Sequence, residues 1–486
     1  MTRVLLVTAI LLGISRQFAV ADDPFRAIEV SEIHRTLDAA LLSDLDNSDA
    51  RVAARAALAI GRTKRGGLDA LLAHASSSNA SVRAMSVYAL GLEGDGRPAI
   101  GAALGRAAAD ENSAVRYAAV DALGRIQRDH PVTDRSEDAL AEELLAIAAR
   151  DPNANVRGHA VLQLDVFKDA PSAKRVAAAL QRLETSERDP GVRWHVAFTL
   201  YRGYATFADG AFLARMLRDR SELVRVETLR AYGKRADRAT VALVSTLLAD
   251  PSWRVQYEAR ETLRAIAKLP RTEHLKSVPP GTHLPRPSGA AIPYTLDAET
   301  IGVAPFEDPR APDPATFPLS SAPLPLTAAA MNGPAPGPHP RVLIRTTRGD
   351  VVVRLYPEWA PSTVANFLQL ASTGYFDGNR WFRIVPDFVV QTGDPTGDPD
   401  AEAGYTIPAE ENPIEQRSGI IAMGLDYEGG RAVRDSAGTQ FYITLSPQPY
   451  LGRDFSVFGE IESGSDVVAN LVERDRMTLV RRIDDR

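Results

Sequence analysis

The sequence predicts a multidomain chain: an all-α solenoid of stacked helix pairs, followed by a domain of short β-strands with a helix among them. Three observations carry this. A valine recurs at Val52, Val82, Val115, Val156, Val192, Val224 and Val255, spaced 30 to 41 residues apart, the period of helix-pair solenoids. From residue 270 to 340 the pattern stops, and that stretch holds 17 of the chain's 33 prolines. Beyond residue 340 short alternating apolar runs take over. With 486 residues, 45% hydrophobic and 24% charged, the chain suits several folded domains rather than one core or a disordered polymer.

Residues 1–21 read as a secretory signal: Arg3 is the basic start, Val4 to Ile14 an apolar run, and Ala19-Val20-Ala21 an A-x-A cleavage site, leaving Asp22 as the mature terminus. An apolar run of 11 residues falls short of the roughly 20 that span a bilayer, so no membrane span is expected in the mature chain. The chain has no cysteine, which excludes disulfides, thiolate metal sites and cysteine nucleophiles and suits an exported, periplasm-like setting.

Residues 22–269 repeat one grammar. Three positions before each valine stands a helix-capping residue: Asp49, Asn79, Asn112, Asn153, Asp189, Ser221 or Ser252. Four after it come Ala56, Ser86, Ala119, Ala160, Val196, Thr228 and Ala259, and eight after it Ile60, Leu90, Leu123, Leu164, Leu200, Tyr232 and Leu263. Spacing of i, i+4, i+8 marks one buried helix face. Gly61, Gly91, Gly124 and Gly233, nine after the valine, are placed to end the helices. Arg83, Arg116, Arg157, Arg193 and Arg225 follow their valines directly and are expected to brace adjacent repeats; His159 and His195 are expected as packed core histidines.

The D/N-x-x-V-R start and A-L-G finish resemble HEAT repeats over roughly residues 30–269. The resemblance implies a scaffold with a long surface for a protein partner, and more remotely a pigment-lyase role. Residues 270–340 read as a proline-rich linker, in which Tyr294, Phe306 and Phe317 are apolar for free chain.

In residues 341–486, Arg341 to Thr347 and Val351 to Tyr356 flank a Gly349-Asp350 turn, the signature of a hairpin. A helix is expected over Pro361 to Ser372, with Val364, Phe367, Leu368 and Ala371 on one side. This part carries 15 Lys plus Arg against 22 Asp plus Glu, with no basic stripe for nucleic acid. Asp394, Asp398 and Asp400 match no complete calcium loop, so no metal is expected; the segment Asp398 to Gly404 and the pair Glu410-Glu411 read as solvated loop.

Five blocks then occur in order: YFDG at Tyr375 to Gly378, FRIVPDF at Phe382 to Phe388, VQTGD at Val390 to Asp394, GTQFYI at Gly438 to Ile443, and FSVFGE at Phe455 to Glu460. Together they resemble cyclophilins across all of residues 341–486. The resemblance implies a closed eight-stranded antiparallel barrel and peptidyl-prolyl cis-trans isomerisation without a cofactor. It assigns Arg383 as the catalytic cation, Gln391 as its polar partner, and Phe388, Val389, Met423, Tyr442 and Leu451 as the wall around the proline ring. Tyr450 and Phe455 fall at the rim, with Gly424 beside them. Without the family, Phe388 and Tyr442 read as ordinary core aromatics, whereas a guanidinium and an amide interrupting apolar strands ask for a reason.

Val389, Tyr442, Tyr450, Phe455 and the Gly424-Leu425 pair depart from common family choices. The Tyr450 change implies weak binding of cyclosporin-like inhibitors. The expected function is a folding catalyst acting on X-Pro bonds of exported proteins. A catalytically weak proline-peptide binding module on a repeat scaffold remains the alternative.

Overall fold

The computed structural model describes residues 24–133, 135–269, 339–399, 403–429, 431–473 and 475–483. The signal and almost all of the proline-rich segment lie outside them. Met1–Ala122 and Leu123–Arg486 form two compact units.

Each recurring valine opens a helix: α1 (Ala50–Thr63), α2 (Ala80–Glu93), α3 (Ser113–Asp129), α4 (Ala154–Gln163), α5 (Pro190–Thr199), α6 (Glu222–Arg235) and α7 (Trp253–Ile266). The seven valines are at most 3% exposed, and the i+4 and i+8 positions are buried with them. Asp49, Asn79, Asn112, Asn153 and Asp189 accept backbone N–H bonds from their own first turns. Ser221 and Ser252 do not. The Ser252 hydroxyl instead donates to Glu222 of the preceding repeat helix.

Four of the five arginines after the valines are seen to tie repeats together as expected. Arg83 pairs with Asp110 at 2.8 Å, Arg157 with Glu187 at 2.9 Å, Arg193 with Asp219 at 2.8 Å and Arg225 with Asp250 at 2.8 Å.

The glycines have another task than ending helices. Gly61 lies inside α1, which runs on to a left-handed Lys64 (φ 53°), and α6 runs past Gly233 to a left-handed Ala236 (φ 50°). A Cβ on Gly61 would stand 2.7 Å from Ala89 Cα, and one on Gly91 the same distance from Ala122 Cα. These glycines let neighbouring repeat helices touch backbone to backbone. Gly61→Ala therefore separates two effects of opposite sign. Helix propensity favours alanine by about 1 kcal/mol, whereas forcing a methyl into a packed contact costs about 1–3 kcal/mol. The variant is expected to be less stable in chemical unfolding of the full chain; a gain in stability would show that α1 and α2 do not meet so closely.

Ahead of α1, Glu32 is 2% exposed and shared by Arg55 and Arg62. Burial pushes its carboxyl up, but the guanidiniums of Arg55 and Arg62 outweigh burial and hold it at about 2.

The second unit contains an antiparallel sheet of eight strands in the order β10-β1-β2-β9-β5-β8-β4-β3. These are β1 (Arg341–Thr346), β2 (Gly349–Leu355), β3 (Arg383–Val385), β4 (Val389–Thr392), β5 (Ile420–Met423), β8 (Phe441–Thr444), β9 (Val457–Ser463) and β10 (Met477–Ile483); β6 (Tyr427–Glu428) and β7 (Arg431–Ala432) make a separate hairpin. Helix α8 (Pro361–Ser372) matches the predicted span, and a short α9 (Ser465–Ala469) precedes β10. Phe367, Phe376, Trp381, Phe441 and Phe458 fill the main core. Among the described residues no helix is long and apolar enough to cross a membrane.

Three expectations need correction. The sheet curls but does not close as a strand ladder. Its end strands β3 and β10 are not paired; β3 has only three residues, and the approach beyond it reduces to one bridge, Arg380 with Arg476. The β1–β2 turn falls on Thr347 and Arg348, with Gly349 and Asp350 already paired to Thr346 and Arg345. Here the Thr346 hydroxyl donates to the Gly349 carbonyl at 2.8 Å and holds the turn.

The third concerns Glu410 and Glu411, which are 1% and 5% exposed rather than solvated. Glu410 accepts the Ser362 and Thr363 backbone N–H groups at 3.0 and 2.9 Å, satisfying free donors at the start of α8. Glu411 pairs with Arg434 at 2.7 Å.

Candidate active site

Strands β3 and β4 set the polar half of the site. Their register puts Arg383 opposite Gln391, and the Arg383 Nη1 donates to Gln391 Oε1 at 3.3 Å. Gln391 in turn donates through Nε2 to Gln440 Oε1 at 3.0 Å, which fixes the orientation of its amide. The Arg383 guanidinium carbon lies 5.5 Å from the centre of the Phe388 ring. Arg383 remains exposed while Val389 and Val390 beside it are buried. A permanent cation is thus held at the mouth of an apolar surface by an amide and an aromatic face.

The apolar half is a second cluster, distinct from the main core. Val389, Tyr442, Leu451 and Phe455 are buried in it, with Phe388 and Tyr450 packed at its edge. Tyr442 and Phe455 meet edge to face, with ring centres 5.6 Å apart. The Tyr442 hydroxyl donates to Gln416 Oε1 at 2.7 Å, so its polar tip is satisfied behind the wall. Burial pushes the Tyr442 hydroxyl's pKa upward, and it stays neutral.

Met423 does not join this group. Strand alternation in β5 sends Ile421 and Met423 into the main core, and Ile420 and Ala422 into the second cluster. Gly424 continues the second face: a Cβ there would lie 3.4 Å from Gln391 Nε2 and 3.3 Å from Gln440 Cβ. Leu425 packs against both clusters. The period of two along Ile420 to Gly424 was the sequence signal that separates Met423 from Gly424.

The rim also meets the repeat helices of its own unit. Tyr450 stacks on Phe388 with ring centres 6.4 Å apart and planes 4° from parallel. Phe198 of α5 stacks on Tyr450 at 6.0 Å, and the Arg202 guanidinium lies 4.4 Å from the same ring. Asp387, 2% exposed, receives Arg230 Nη2 of α6 at 3.0 Å and lies 3.1 Å from Arg254 Nε of α7. Burial pushes the Asp387 carboxyl up, and Arg230 and Arg254 oppose that shift.

Further along, Arg125 donates to the Arg453 carbonyl at 3.0 Å, and Arg453 donates to Gln163 at 3.2 Å. His195, read from sequence as a core histidine, bonds Glu415 at 3.2 Å; the partner is 220 residues away and no local pattern marks it. His159 is buried and bonds Gln163 at 3.1 Å.

A curled antiparallel sheet that sets this cation and amide beside a second apolar cluster, carried in a chain with helical repeats, defines a peptidyl-prolyl isomerase-type β domain. The profile described as "Cyclophilin type peptidyl-prolyl cis-trans isomerase/CLD" matches residues 341–483, and that for HEAT repeats matches residues 39–123 and 68–142. Peptidyl-prolyl cis-trans isomerase B of Bacillus subtilis is 41% identical over 129 residues, covering 26% of this chain and 86% of the relative.

A peptidyl-prolyl cis-trans isomerase of Synechococcus elongatus is 33% identical over 147 residues, covering 30% of this chain and 97% of the relative. The crystal structure of a cyclophilin-type isomerase of Cryptosporidium parvum is 23% identical, with a TM-score of 0.28, and covers 30% of this chain and 99% of that one. This chain belongs to the cyclophilin-type peptidyl-prolyl cis-trans isomerases.

Proposed function

We propose that the chain catalyses cis/trans isomerisation of X-Pro bonds in exported polypeptides, with the repeats offering a surface for a client or partner. The observation that carries this reading is the Arg383 guanidinium, bonded to Gln391 and lying over Phe388 at the mouth of the Val389, Tyr442, Leu451 and Phe455 cluster. Rotation about an X-Pro amide faces a barrier of about 18–20 kcal/mol, because twisting breaks the resonance of the peptide group. No bond need form or break.

The residues divide that work. The cluster takes up the pyrrolidine ring and removes water from one side of the amide. Arg383 hydrogen-bonds the carbonyl before the proline and stabilises the twisted amide, whose nitrogen lone pair is localised, more than the planar one. Gln391, itself held by Gln440, keeps the guanidinium aimed and offers its amide to the substrate backbone. Gly424 leaves room for that backbone beside Gln391.

Magnetisation exchange between cis and trans forms of an Ala-Pro peptide, with catalytic amounts of the full chain, tests the reading. Exchange well above the uncatalysed rate is expected. Peptide binding with no gain in exchange would make the domain a proline-peptide receptor instead, and neither binding nor exchange would remove both readings. The leader-like sequence of residues 1–21 supports the export part of this reading. Terminal sequencing of the protein from a secreting host is expected to begin at Asp22.

A further inference from the structure

Two supports from the repeat helices converge on Phe388, the ring under the Arg383 guanidinium. The first arrives through its covalent neighbour. Asp387 adopts φ +56°, a conformation that favours glycine, and yet carries a side chain that is buried. Both of its carboxylate oxygens face repeat guanidiniums, Arg230 at 3.0 Å and Arg254 at 3.1 Å.

Those cations are fixed before they meet it. Arg230 also pairs with Glu227 at 2.9 Å and Glu258 at 3.1 Å, and Arg254 with Glu222 at 2.9 Å. Arg254 further donates to the Leu445 carbonyl at 3.1 Å, and the Leu445 N–H donates to the Phe388 carbonyl at 2.8 Å.

The second support is a stack. Arg202 and Phe198 both lie against the Tyr450 ring, at 4.4 and 6.0 Å, and Tyr450 lies parallel to Phe388. A turn that needed only to expose Phe388 could use glycine at 387 and leave Tyr450 to solvent. Here a buried carboxylate in a strained backbone is matched to a clamp of two arginines, and both supports end on one ring.

We propose that Arg230 is a positioning residue of the isomerase site: through Asp387 it sets Phe388 and hence the Arg383 guanidinium beside the proline slot, making helices α5 to α7 part of the active centre. This rests on the isomerase reading above. The repeats then do more than carry the domain; their docking tunes its turnover.

A double-mutant cycle in the full chain tests it, with kcat/KM measured on one X-Pro peptide and folding of each variant checked by circular dichroism. Arg230→Met is expected to lower kcat/KM about tenfold, within the range of coupling between contacting groups. Asp387→Gly removes the carboxylate while suiting the backbone; in that background Arg230→Met should have no further effect. Arg230→Lys should recover part of the loss, which a purely structural role would not predict.

Arg202→Ala probes the other support without disturbing the ion cluster and should lower kcat/KM a few fold. Unchanged kcat/KM in a folded Arg230→Met protein, or equal factors for Arg230→Met in both backgrounds, overturns the proposal. If Arg230→Met does not fold, unchanged kcat/KM in Asp387→Gly does the same. Should the wild type bind the peptide without turning it over, the isomerase reading fails, and the same cycle on peptide affinity decides the positioning role. A wild type that does neither overturns both.

Discussion

Arg383→Ala in the full chain is expected to lower kcat/KM for X-Pro isomerisation by about 10²–10³-fold, the usual loss when one preorganised donor to a developing charge is removed. The loss should fall mainly on kcat. The cluster of Val389, Tyr442, Leu451 and Phe455 is untouched by the change, and under the proposed function it still takes up the ring. Arg383 is exposed and outside both apolar clusters, so the variant should unfold at the same denaturant concentration as the wild type. Arg383→Lys keeps a charge but loses the planar donor set that meets both Gln391 and a substrate carbonyl, and is expected to restore only part of the rate. Full activity in Arg383→Ala would move the catalytic cation elsewhere.

Glu32→Gln is expected to destabilise the unit that contains α1 by about 3–5 kcal/mol, because it leaves Arg62, 0% exposed, without the charge that balances it. The pH dependence has a fixed sign. With the folded carboxyl held at about 2, below its ordinary value of 4.5, the group stabilises the fold fully above about pH 4.5, and that contribution is lost as the pH falls through about 2. Urea unfolding of both proteins at pH 7 and at pH 3 should therefore show a gap that narrows at the lower pH. A gap that stays constant or widens would mean that the carboxylate is not the partner of Arg55 and Arg62.

Much of this molecule is local and so was readable. The seven valines, their i+4 and i+8 companions and five of the seven caps depend only on helix period and first-turn hydrogen bonding. Arg383 and Gln391 were conspicuous as polar residues in apolar strands, and the structure places them opposite one another.

The errors came where a local feature has a distant reason. Gly61 ends no helix, because what it must admit is Ala89 of the next repeat. Glu410 is not solvated, because the start of α8, nearly fifty residues earlier, needs an acceptor. Met423 differs: block similarity assigns it to the wall, whereas the local strand alternation puts it in the core.

The amino-acid order alone determined the helical repeat and the β character after residue 340, since each follows from periodicity in a short window. Only the tertiary structure decided that Asp387 meets Arg230 and Arg254, that Tyr450 stacks with both Phe198 and Phe388, and that the sheet stops short of closing. The physical reason is that burial of a charge or a ring is settled by whichever partner reaches it in space, and partners more than a hundred residues apart leave no period to read.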